Sequence, residues 1–403
     1  MRTASSSCVT VASSRPAPSR SLWRRSRTSP YRPRWPGWRT RVSEHRVDVV
    51  VAVHNDARPV ERAVASVLRE RVPLRVLVVA HNVDPARITS RLAALADDPR
   101  VSVLALEDGV RSPANAFNHG VVAACADYVC IIGSDDELQA GALEAWVELG
   151  DRTGARAVVA PIVRDGGGVV PTPRIRPGRR RTLDADRDRL YERTAPLGLQ
   201  RRAALGDLRY AEGLPRGVDQ AYGLALWLGG GIVFDPTAPA YLEHADQSDR
   251  VTHVFGPLAD DFAFLPGVLE LLADRPLAVR RAVASKLLRV HLIPALTQRA
   301  GTSSLQAADL LAARAVAAQL RAVGPGSAGL LPRAPAEVLA ALEGGASVAD
   351  VAAVAGRSAP LWRRLVPARA CWLLHRHAPL RLQMAAWFLT RRVRRAQRRL
   401  PSE

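Results

Sequence analysis

The sequence predicts an α/β domain, a mostly parallel β-sheet with helices on both faces, followed by an all-helical C-terminal domain. Between residues 45 and 255, short continuous apolar runs alternate with segments of helical periodicity. Continuous apolar strands indicate a sheet that is covered on both faces. From about residue 256 the strand-like runs stop, and Ala- and Leu-rich helical segments continue to the basic end at residue 403. A chain of 403 residues is long enough for both domains.

The first predicted β-α unit is the clearest. Residues 47–53 form an apolar strand, and the next apolar positions recur at helical spacing, at Val60, Ala63, Val64, Val67 and Leu68. The following predicted elements are, in order, a strand at residues 74–79, a helix with Ile88, Leu92 and Leu95 on one face, a strand at residues 101–106, a helix at residues 115–124 and a strand at residues 128–132. Ligands of parallel sheets bind at the carboxyl ends of the strands, so we expect the functional site there.

The net charge of +19 lies in the two ends of the chain. Residues 1–46 contain eleven arginines against one glutamate, and residues 363–403 contain the same numbers. The intervening part is close to neutral. Cationic ends of this kind suit an anionic partner, such as a phospholipid surface or nucleic acid. We predict that residues 1–44, which are rich in Arg, Ser and Pro, form a disordered tail.

Composition also bears on localisation. The four cysteines form no C-x-x-C pair, which argues against a zinc module and a secreted disulfide framework. No run of 18 apolar residues is present, so no membrane span is predicted.

The last predicted helix places Leu380, Met384, Trp387 and Phe388 on one side, next to an arginine cluster. This pattern favours either a helix lying on an anionic membrane or a packed helix with a solvated basic end, and we predict a cytoplasmic protein, peripheral on the inner membrane face in the first case.

Acidic residues follow the strand predicted at residues 128–132. Gly133 and Ser134 lead into Asp135, Asp136 and Glu137, which places three carboxylates at the carboxyl edge of the sheet. Adjacent like charges are unfavourable unless a cation joins them. Mg²⁺ or Mn²⁺ shared with a diphosphate would do so. The alternative is that one of the aspartates caps the helix starting near Gly141.

These landmarks together resemble the nucleotide-sugar half of family 2 glycosyltransferases with the GT-A fold. The resembling parts are the strand that ends in His54-Asn55, the helix containing Ser66-Val-Leu68, the strand at residues 74–79, Asn118-His-Gly120, and the strand ending in Asp135-Asp136. The resemblance implies a nucleoside diphosphate sugar as donor. It assigns to donor binding His54, Asn55, Asn82, Asp84, Arg111, Asn118 and Asp135. It assigns to Mg²⁺ or Mn²⁺ the side chains of Asp135, Asp136 and His244.

Two of these assignments compete with simpler interpretations of the residue alone. Arg111 lies in a loop near enough to the strand edges to meet a diphosphate, but a solvated loop arginine is the alternative. His244 follows Tyr241 by three residues, and it is either a third metal ligand or a histidine satisfied by the protein itself.

The segments at residues 196–202, 212–219 and 226–234, together with Tyr241, resemble the acceptor half of the family, in which an aspartate precedes a helix and a glycine-led strand. This match implies that Asp219 is the general base, which removes the proton of the acceptor hydroxyl in an inverting single displacement. The alternative is that Asp219 caps the helix predicted at residues 220–228.

The chain departs from the family pattern at two places. After its second strand it has Ala80-His81-Asn82-Val83-Asp84, where the family commonly has two aspartates that bind the base. At the first position of the family's Asp-x-Asp-Asp pattern it has Gly133. The first departure leaves the nucleotide open, and the second leaves metal dependence open.

The expected function is therefore sugar transfer to a hydroxyl of an envelope glycan, a lipid-linked saccharide or a wall polymer. One alternative is a GT-A-like binding protein without catalysis. Another is a DNA-binding regulator, because residues 346–364 resemble the helix-turn-helix of bacterial sugar-responsive repressors, with Arg363 and Arg364 available to DNA.

Overall fold

The computed structural model describes residues 44–176, 182–246 and 256–399. The tail predicted at residues 1–44 lies outside this part, apart from Glu44. The described residues all belong to one compact unit that covers Thr40–Glu403.

A seven-stranded mixed sheet forms the centre of the N-terminal part. Its strands are, in chain order, β1 (Val47–Val53), β2 (Leu74–His81), β3 (Val101–Leu106), β4 (Tyr128–Gly133), β6 (Ala157–Val159), β9 (Gly198–Arg201) and β10 (Ile232–Phe234). Their order across the sheet is β10-β6-β9-β4-β1-β2-β3. The pairs among β1, β2, β3 and β4 are parallel, and β9 runs antiparallel to both of its neighbours.

A second sheet of four short strands lies beside the end of β4. Its strands are β5 (Glu137–Leu138), β7 (Ile162–Arg164), β8 (Gly168–Val170) and β11 (Tyr241–Glu243), in the order β5-β11-β7-β8. Because β5 begins only a few residues after β4 and pairs with β11, this small sheet brings Tyr241 and His244 to the acidic end of β4.

Helices connect the strands of the main sheet and pack against it. They are α1 (Val60–Leu68), α2 (Pro85–Leu92), α3 (Pro113–Ala123), α4 (Ala142–Thr153), α5 (Arg202–Leu205) and α6 (Val218–Leu228). In α1 the spacing of apolar residues determines the buried face, since Val60, Ala63, Val64 and Val67 are fully buried against the sheet.

From residue 256 the described chain is helical. The helices are α7 (Leu258–Asp261), α8 (Leu265–Leu272), α9 (Leu277–Leu287), α10 (Ile293–Gly301), α11 (Ala307–Val323), α12 (Arg333–Glu343), α13 (Val348–Ala355), α14 (Leu361–Leu365) and α15 (Pro379–Gln397). One π-helical turn, Leu288–Leu292, joins α9 to α10. No helix of the described residues combines the length and apolar composition needed to cross a bilayer.

The helical region shares a hydrophobic core with the last helix of the sheet region. Buried side chains of α6, including Ala221 and Leu224, belong to the same cluster as Leu265 and Val268 of α8 and Leu287 of α9. The position of α6 therefore depends on helices that lie later in the chain.

These observations confirm the predicted fold class, a mostly parallel sheet with helices followed by a helical region.

The structure gives little support to a DNA-binding helix-turn-helix at residues 346–364. Its second helix, α14, has five residues and ends in an extended residue, Val366. Arg363 of that helix forms an ion pair with Glu337.

Candidate active site

The candidate site lies at the carboxyl edge of the main sheet. Because β1, β2 and β4 are parallel neighbours, their ends place Asn55, Asn82 and the acidic pair Asp135-Asp136 along one edge. This is the edge at which parallel sheets bind their ligands.

The two aspartates converge over Gly133, the last residue of β4. A Cβ atom at position 133 would lie 2.6 Å from an oxygen of Asp136 and 3.2 Å from an oxygen of Asp135. The first distance is too short for a real Cβ contact, and the second is tight. The glycine that departs from the family pattern therefore leaves room for the Asp136 carboxylate to fold back over the strand end.

Each carboxylate has a different partner. Asp135 forms an ion pair with Arg58 at 2.9 Å, and both side chains are about nine-tenths buried. Asp136 accepts hydrogen bonds from the Tyr241 hydroxyl at 2.6 Å and from the His244 backbone N–H at 3.1 Å. Burial raises the pKa of Asp136 to about 6, and the negative charge of Asp135 adds to this rise, against the hydrogen bond from Tyr241. A cation bound at this pair would relieve the repulsion.

His244 lies on the other side of Asp136. Its Nδ1 atom is 2.6 Å from a carboxylate oxygen of Asp165, and its Nε2 atom is 3.6 Å from Glu137. The Nε2 atom is buried and has no hydrogen-bond partner in the described structure. A buried ring nitrogen without a partner is unfavourable in the protein alone, and a metal ion or a phosphate oxygen would satisfy it.

The two carboxylates and the His244 ring nitrogen fit as ligands of a divalent cation that is shared with a diphosphate. Among the described residues, no three His, Cys, Asp or Glu side chains are close enough to one another to hold a metal by themselves. Mg²⁺ usually keeps several waters and takes one or two protein carboxylates together with substrate phosphates. Asp135 and Asp136 match that requirement, and the unsatisfied Nε2 of His244 adds one more donor nearby.

Asn82 organises the loop that follows β3. Its side-chain oxygen accepts hydrogen bonds from the backbone N–H groups of Asp108 and Gly109, and its amide nitrogen donates to Asp108 and to the carbonyl of Val110. Its φ of 55° is in the left-handed region, which asparagine tolerates better than most residues. The amide is thus already occupied by protein, and the role of Asn82 in donor binding stays a prediction.

Two other predicted donor-binding residues also have structural partners. Asn118 is buried, and its side chain exchanges hydrogen bonds with the backbone of Tyr210 and donates to Glu212 at 3.0 Å. Asp84 is the N-cap of α2 and accepts the N–H of Ala86 at 2.9 Å. Their roles in donor binding stay predictions.

The remaining donor-binding candidates are accessible. His54 is exposed directly after β1, and Asn55 accepts the N–H of Ala57 at 2.8 Å, which shapes the turn before α1. Arg111 is exposed in the loop before α3. His54 and Arg111 are thus exposed and Asn55 is half-buried, and their roles in donor binding stay predictions.

Asp219 lies in the first turn of α6. The residue that precedes this helix, Gly217, has a φ of 67°, and a Cβ atom there would be 2.4 Å from the ring of Phe264, so only glycine suits this turn. Gly217 occupies the N-cap position, and Asp219 is the second residue of the helix. The Asp219 carboxylate accepts a hydrogen bond from its own backbone N–H, at the positive dipole end of the helix, so both the general-base and the capping interpretations stay open.

Lys286 of α9, the only lysine of the chain, is the cation that faces Asp219. Its ammonium group is buried and donates to the Thr194 hydroxyl and to the Gln220 side chain, both at 2.9 Å. Burial raises the pKa of Asp219, and the positive charge of Lys286 opposes that rise. Burial in turn lowers the pKa of Lys286 to about 8. The helical region thus supplies a charge to the candidate base.

Sequence reasoning missed several of these partners. Asp108 follows β3 and interacts with His81 at 2.9 Å, and its place at the end of a parallel strand was a signal that could have found it. Arg58 and Lys286 carried no such signal, because each meets its aspartate only through the folded chain.

Comparisons with known proteins agree with this geometry. Residues 48–209 match the family model described as Glycosyl transferase family 2. Over 114 residues the chain is 37% identical to the succinoglycan biosynthesis protein ExoO of Rhizobium meliloti (strain 1021). That match covers 28% of this chain and 32% of the relative, so the chain spans about a third of the relative's length.

Solved structures extend the likeness beyond the matched segment. The crystal structure of S. aureus TarS 1–349 in complex with UDP-GlcNAc superposes with a TM-score of 0.63 at 15% identity, over 77% of this chain and 90% of that chain. The complex of the same protein with UDP gives 0.61 over the same shares. At this identity the likeness shows the fold. Residues 48–209 are therefore similar to a family 2 glycosyltransferase domain, and the fold, to which the chain adds a helical region, is like that of TarS.

Proposed function

We propose that this protein transfers a sugar from a nucleoside diphosphate sugar to a hydroxyl acceptor. The observation that carries the proposal is the convergence of the Asp135 and Asp136 carboxylates over Gly133, at the carboxyl edge of the sheet in a region similar to a family 2 glycosyltransferase domain. Buried, closely placed carboxylates at this edge favour a cation that binds a diphosphate.

In the proposed reaction, Asp219 accepts the proton of the acceptor hydroxyl as that oxygen attacks the anomeric carbon. The bond to the diphosphate breaks in the same step, with inversion at that carbon. The positive charge of Lys286 opposes the rise that burial causes in the pKa of Asp219, and Asn118 fixes the backbone of Tyr210, which lies near Asp219. A divalent cation at Asp135 and Asp136 would neutralise the charge of the leaving diphosphate.

For the substrates, the comparisons supply starting points. TarS was solved with UDP-GlcNAc and with UDP, so uridine diphosphate sugars are the first donors to test. The relative named for succinoglycan biosynthesis suggests an envelope polysaccharide as acceptor. We further propose that the protein works at the inner face of the membrane, since α15 has an apolar ridge next to an arginine cluster.

A second candidate function is nucleotide-sugar binding without transfer. The ion pair between Arg58 and Asp135 favours it, because a guanidinium occupies one of the two carboxylates that a cation would need. In this case the nucleotide would bind without Mn²⁺.

Turnover by the purified full chain distinguishes the two functions. Release of the nucleoside diphosphate from a panel of nucleotide sugars is followed with hydroxyl acceptors present. We expect Asp135→Ala and Asp219→Asn each to abolish acceptor-dependent release, while Gly267→Ala, whose added carbon makes only an ordinary 3.5 Å contact, serves as the control. Unchanged release in both aspartate variants would contradict the enzymatic function.

A further inference from the structure

The end of the chain returns to the segment that precedes β9. His377 lies 3.0 Å from Asp186, and Arg376 forms an ion pair with the same carboxylate. The Arg189 guanidinium donates to the backbone carbonyl of Arg376 at 2.8 Å and to that of Arg174 at 2.8 Å. These contacts hold α15 beside residues 186–189, and a groove lies between the helix and these residues.

The groove is strongly cationic. Its volume is about 510 Å³. The arginines that line it are Arg176, Arg187, Arg189, Arg376 and Arg381. Asp188 neutralises Arg176 and Asp186 neutralises Arg376. Within the described residues, the other three arginines form no ion pair with a carboxylate, and no acidic residue lines the groove, so its lining carries an excess of positive charge.

Arg189 is the most costly of these charges for the free protein. It is only 8% exposed, and its guanidinium donates to backbone carbonyls, which do not cancel its charge. Burial lowers the pKa of Arg189 and the positive charge of Arg381 lowers it further, against the carboxylates of Glu192 and Asp188. A buried cation beside another cation is unfavourable unless an anion joins them.

One wall of the groove is apolar and open to solvent. Met384 and Phe388, on successive turns of α15, line the groove while remaining 51% and 48% exposed. Leu380 and Trp387 continue this exposed ridge along the same helix. Large exposed side chains in a continuous row indicate a surface that binds an apolar partner.

We propose that this groove binds the phosphate headgroup of an anionic membrane lipid. The arginines contact the phosphate oxygens, and Met384 and Phe388 contact the beginning of the acyl chains. Charge complementarity selects the phosphate, and the apolar wall selects a lipid over a soluble anion. The inference rests on the proposed work at the membrane face, and it adds a defined headgroup site built from two distant parts of the chain.

Co-sedimentation of the full chain with vesicles tests the site. The groove variant is Arg187→Gln with Arg381→Gln, and the control of equal charge is Arg275→Gln with Arg357→Gln, at exposed positions outside the groove. On phosphatidylcholine vesicles containing phosphatidylglycerol, we expect the groove variant to lose about 30-fold in partitioning, since each arginine near an anionic surface contributes about fivefold. The control variant should bind like the unchanged protein. An equal loss in both variants would overturn the proposal, because binding would then follow net charge alone.

Two further arms separate a lipid from a free anion. Met384→Ser with Phe388→Ser should also weaken binding to these vesicles, and inorganic phosphate should not displace the unchanged protein from them. If phosphate displaces the protein, or if the apolar variant binds as well as the unchanged protein, the groove is a small-anion site and the proposal fails. UDP binding by each variant is measured alongside, so that a failure of the donor site is seen separately.

Discussion

The carboxyl group of Asp219 is subject to two opposing effects. Burial raises its pKa and favours the neutral acid, whereas the charge of Lys286 and the helix N–H groups favour the carboxylate. A general base must be ionised at the working pH and still accept a proton in the transition state. A raised pKa makes Asp219 a stronger base than an exposed aspartate, and Lys286 limits the rise.

Asp219→Asn should therefore lower the rate of sugar transfer by about a thousandfold, which is the usual contribution of a general base. The amide is almost isosteric, so donor binding should stay unchanged. The measurement is kcat for transfer beside calorimetric binding of the donor nucleotide. Retained turnover would show that another group accepts the proton.

Lys286→Met should move the acidic limb of the pH profile of kcat/KM to higher pH. Removing the positive charge lets burial raise the pKa of Asp219 further, so that the base becomes protonated at a higher pH. The other charged groups facing Lys286 are Glu192 and Arg289, and they remain in place.

Lys286→Arg is the matched control, because it keeps the positive charge. We expect its acidic limb to stay near that of the unchanged protein. If both variants lose activity at every pH by the same factor, Lys286 acts only on the structure.

Gly133→Ala should weaken metal-dependent nucleotide binding by about tenfold, because the new Cβ would collide with the Asp136 carboxylate and displace it. Gly267→Ala provides the control in the same assay. Calorimetric titration with the nucleotide, with and without Mn²⁺, measures the effect. Equal binding by Gly133→Ala and the unchanged protein would show that the two carboxylates do not hold the cation.

At the scale of elements, a buried ion network joins the two parts of the chain. Glu192, in the short 3₁₀ helix Leu190–Glu192, is 2.6 Å from Arg289 of the π-helical turn and 3.7 Å from Arg174. Burial would raise the pKa of Glu192, but the two guanidinium groups lower it to about 2. The network lies next to Lys286, and so it helps to position α9 beside Asp219.

Glu192→Gln should lower the free energy of unfolding at neutral pH by about 3 kcal/mol, because it leaves two arginines partly buried without a counter-charge. In the unchanged protein, the stabilisation from this group is present above the ordinary glutamate pKa of 4.5 and is lost as the pH falls from there towards about 2. The free energy of unfolding of the Glu192→Gln variant should therefore fall less between pH 4.5 and about 2 than that of the unchanged protein.

Denaturant unfolding at several pH values checks this. Glu343→Gln is the control, since Glu343 pairs with the exposed Arg321, and such a surface pair is worth less than about 1 kcal/mol. Equal losses in the two variants would show that the network adds no stability beyond a surface pair.

The elements themselves could be predicted from the sequence wherever one local pattern determines them. The strand predicted at residues 47–53 is β1 with the same bounds. The strand predicted at residues 74–79 is β2, which continues two residues further, to His81. Partners across the fold could not be predicted in this way. Arg58 and Asp135, or Lys286 and Gln220, meet only after the chain has folded, and no short-range period encodes those contacts.

On the scale of the whole molecule, the helical region packs against α6, the helix that carries the candidate base, and does not stand apart from the sheet region. Its side chains share a core with α6, and Lys286 reaches the first turn of that helix. Removing the helical region would expose the apolar face of α6 and take away the charge that faces Asp219.

A chain that ends at residue 255 should therefore lose sugar transfer and should aggregate or unfold at a lower temperature than the full chain. Thermal unfolding and size-exclusion chromatography measure this. A monomeric, fully active truncated protein would contradict the role of the helical region in the site.

The central claim is that the carboxyl edge of the sheet binds a nucleoside diphosphate with a divalent cation. The most direct test is calorimetric titration of the full chain with UDP, GDP, CDP and dTDP, each with and without Mn²⁺, repeated with Asp135→Ala. We predict that one nucleotide binds, that Mn²⁺ strengthens this binding, and that Asp135→Ala removes the Mn²⁺ effect. Absence of binding to all four nucleotides under both conditions would contradict the account.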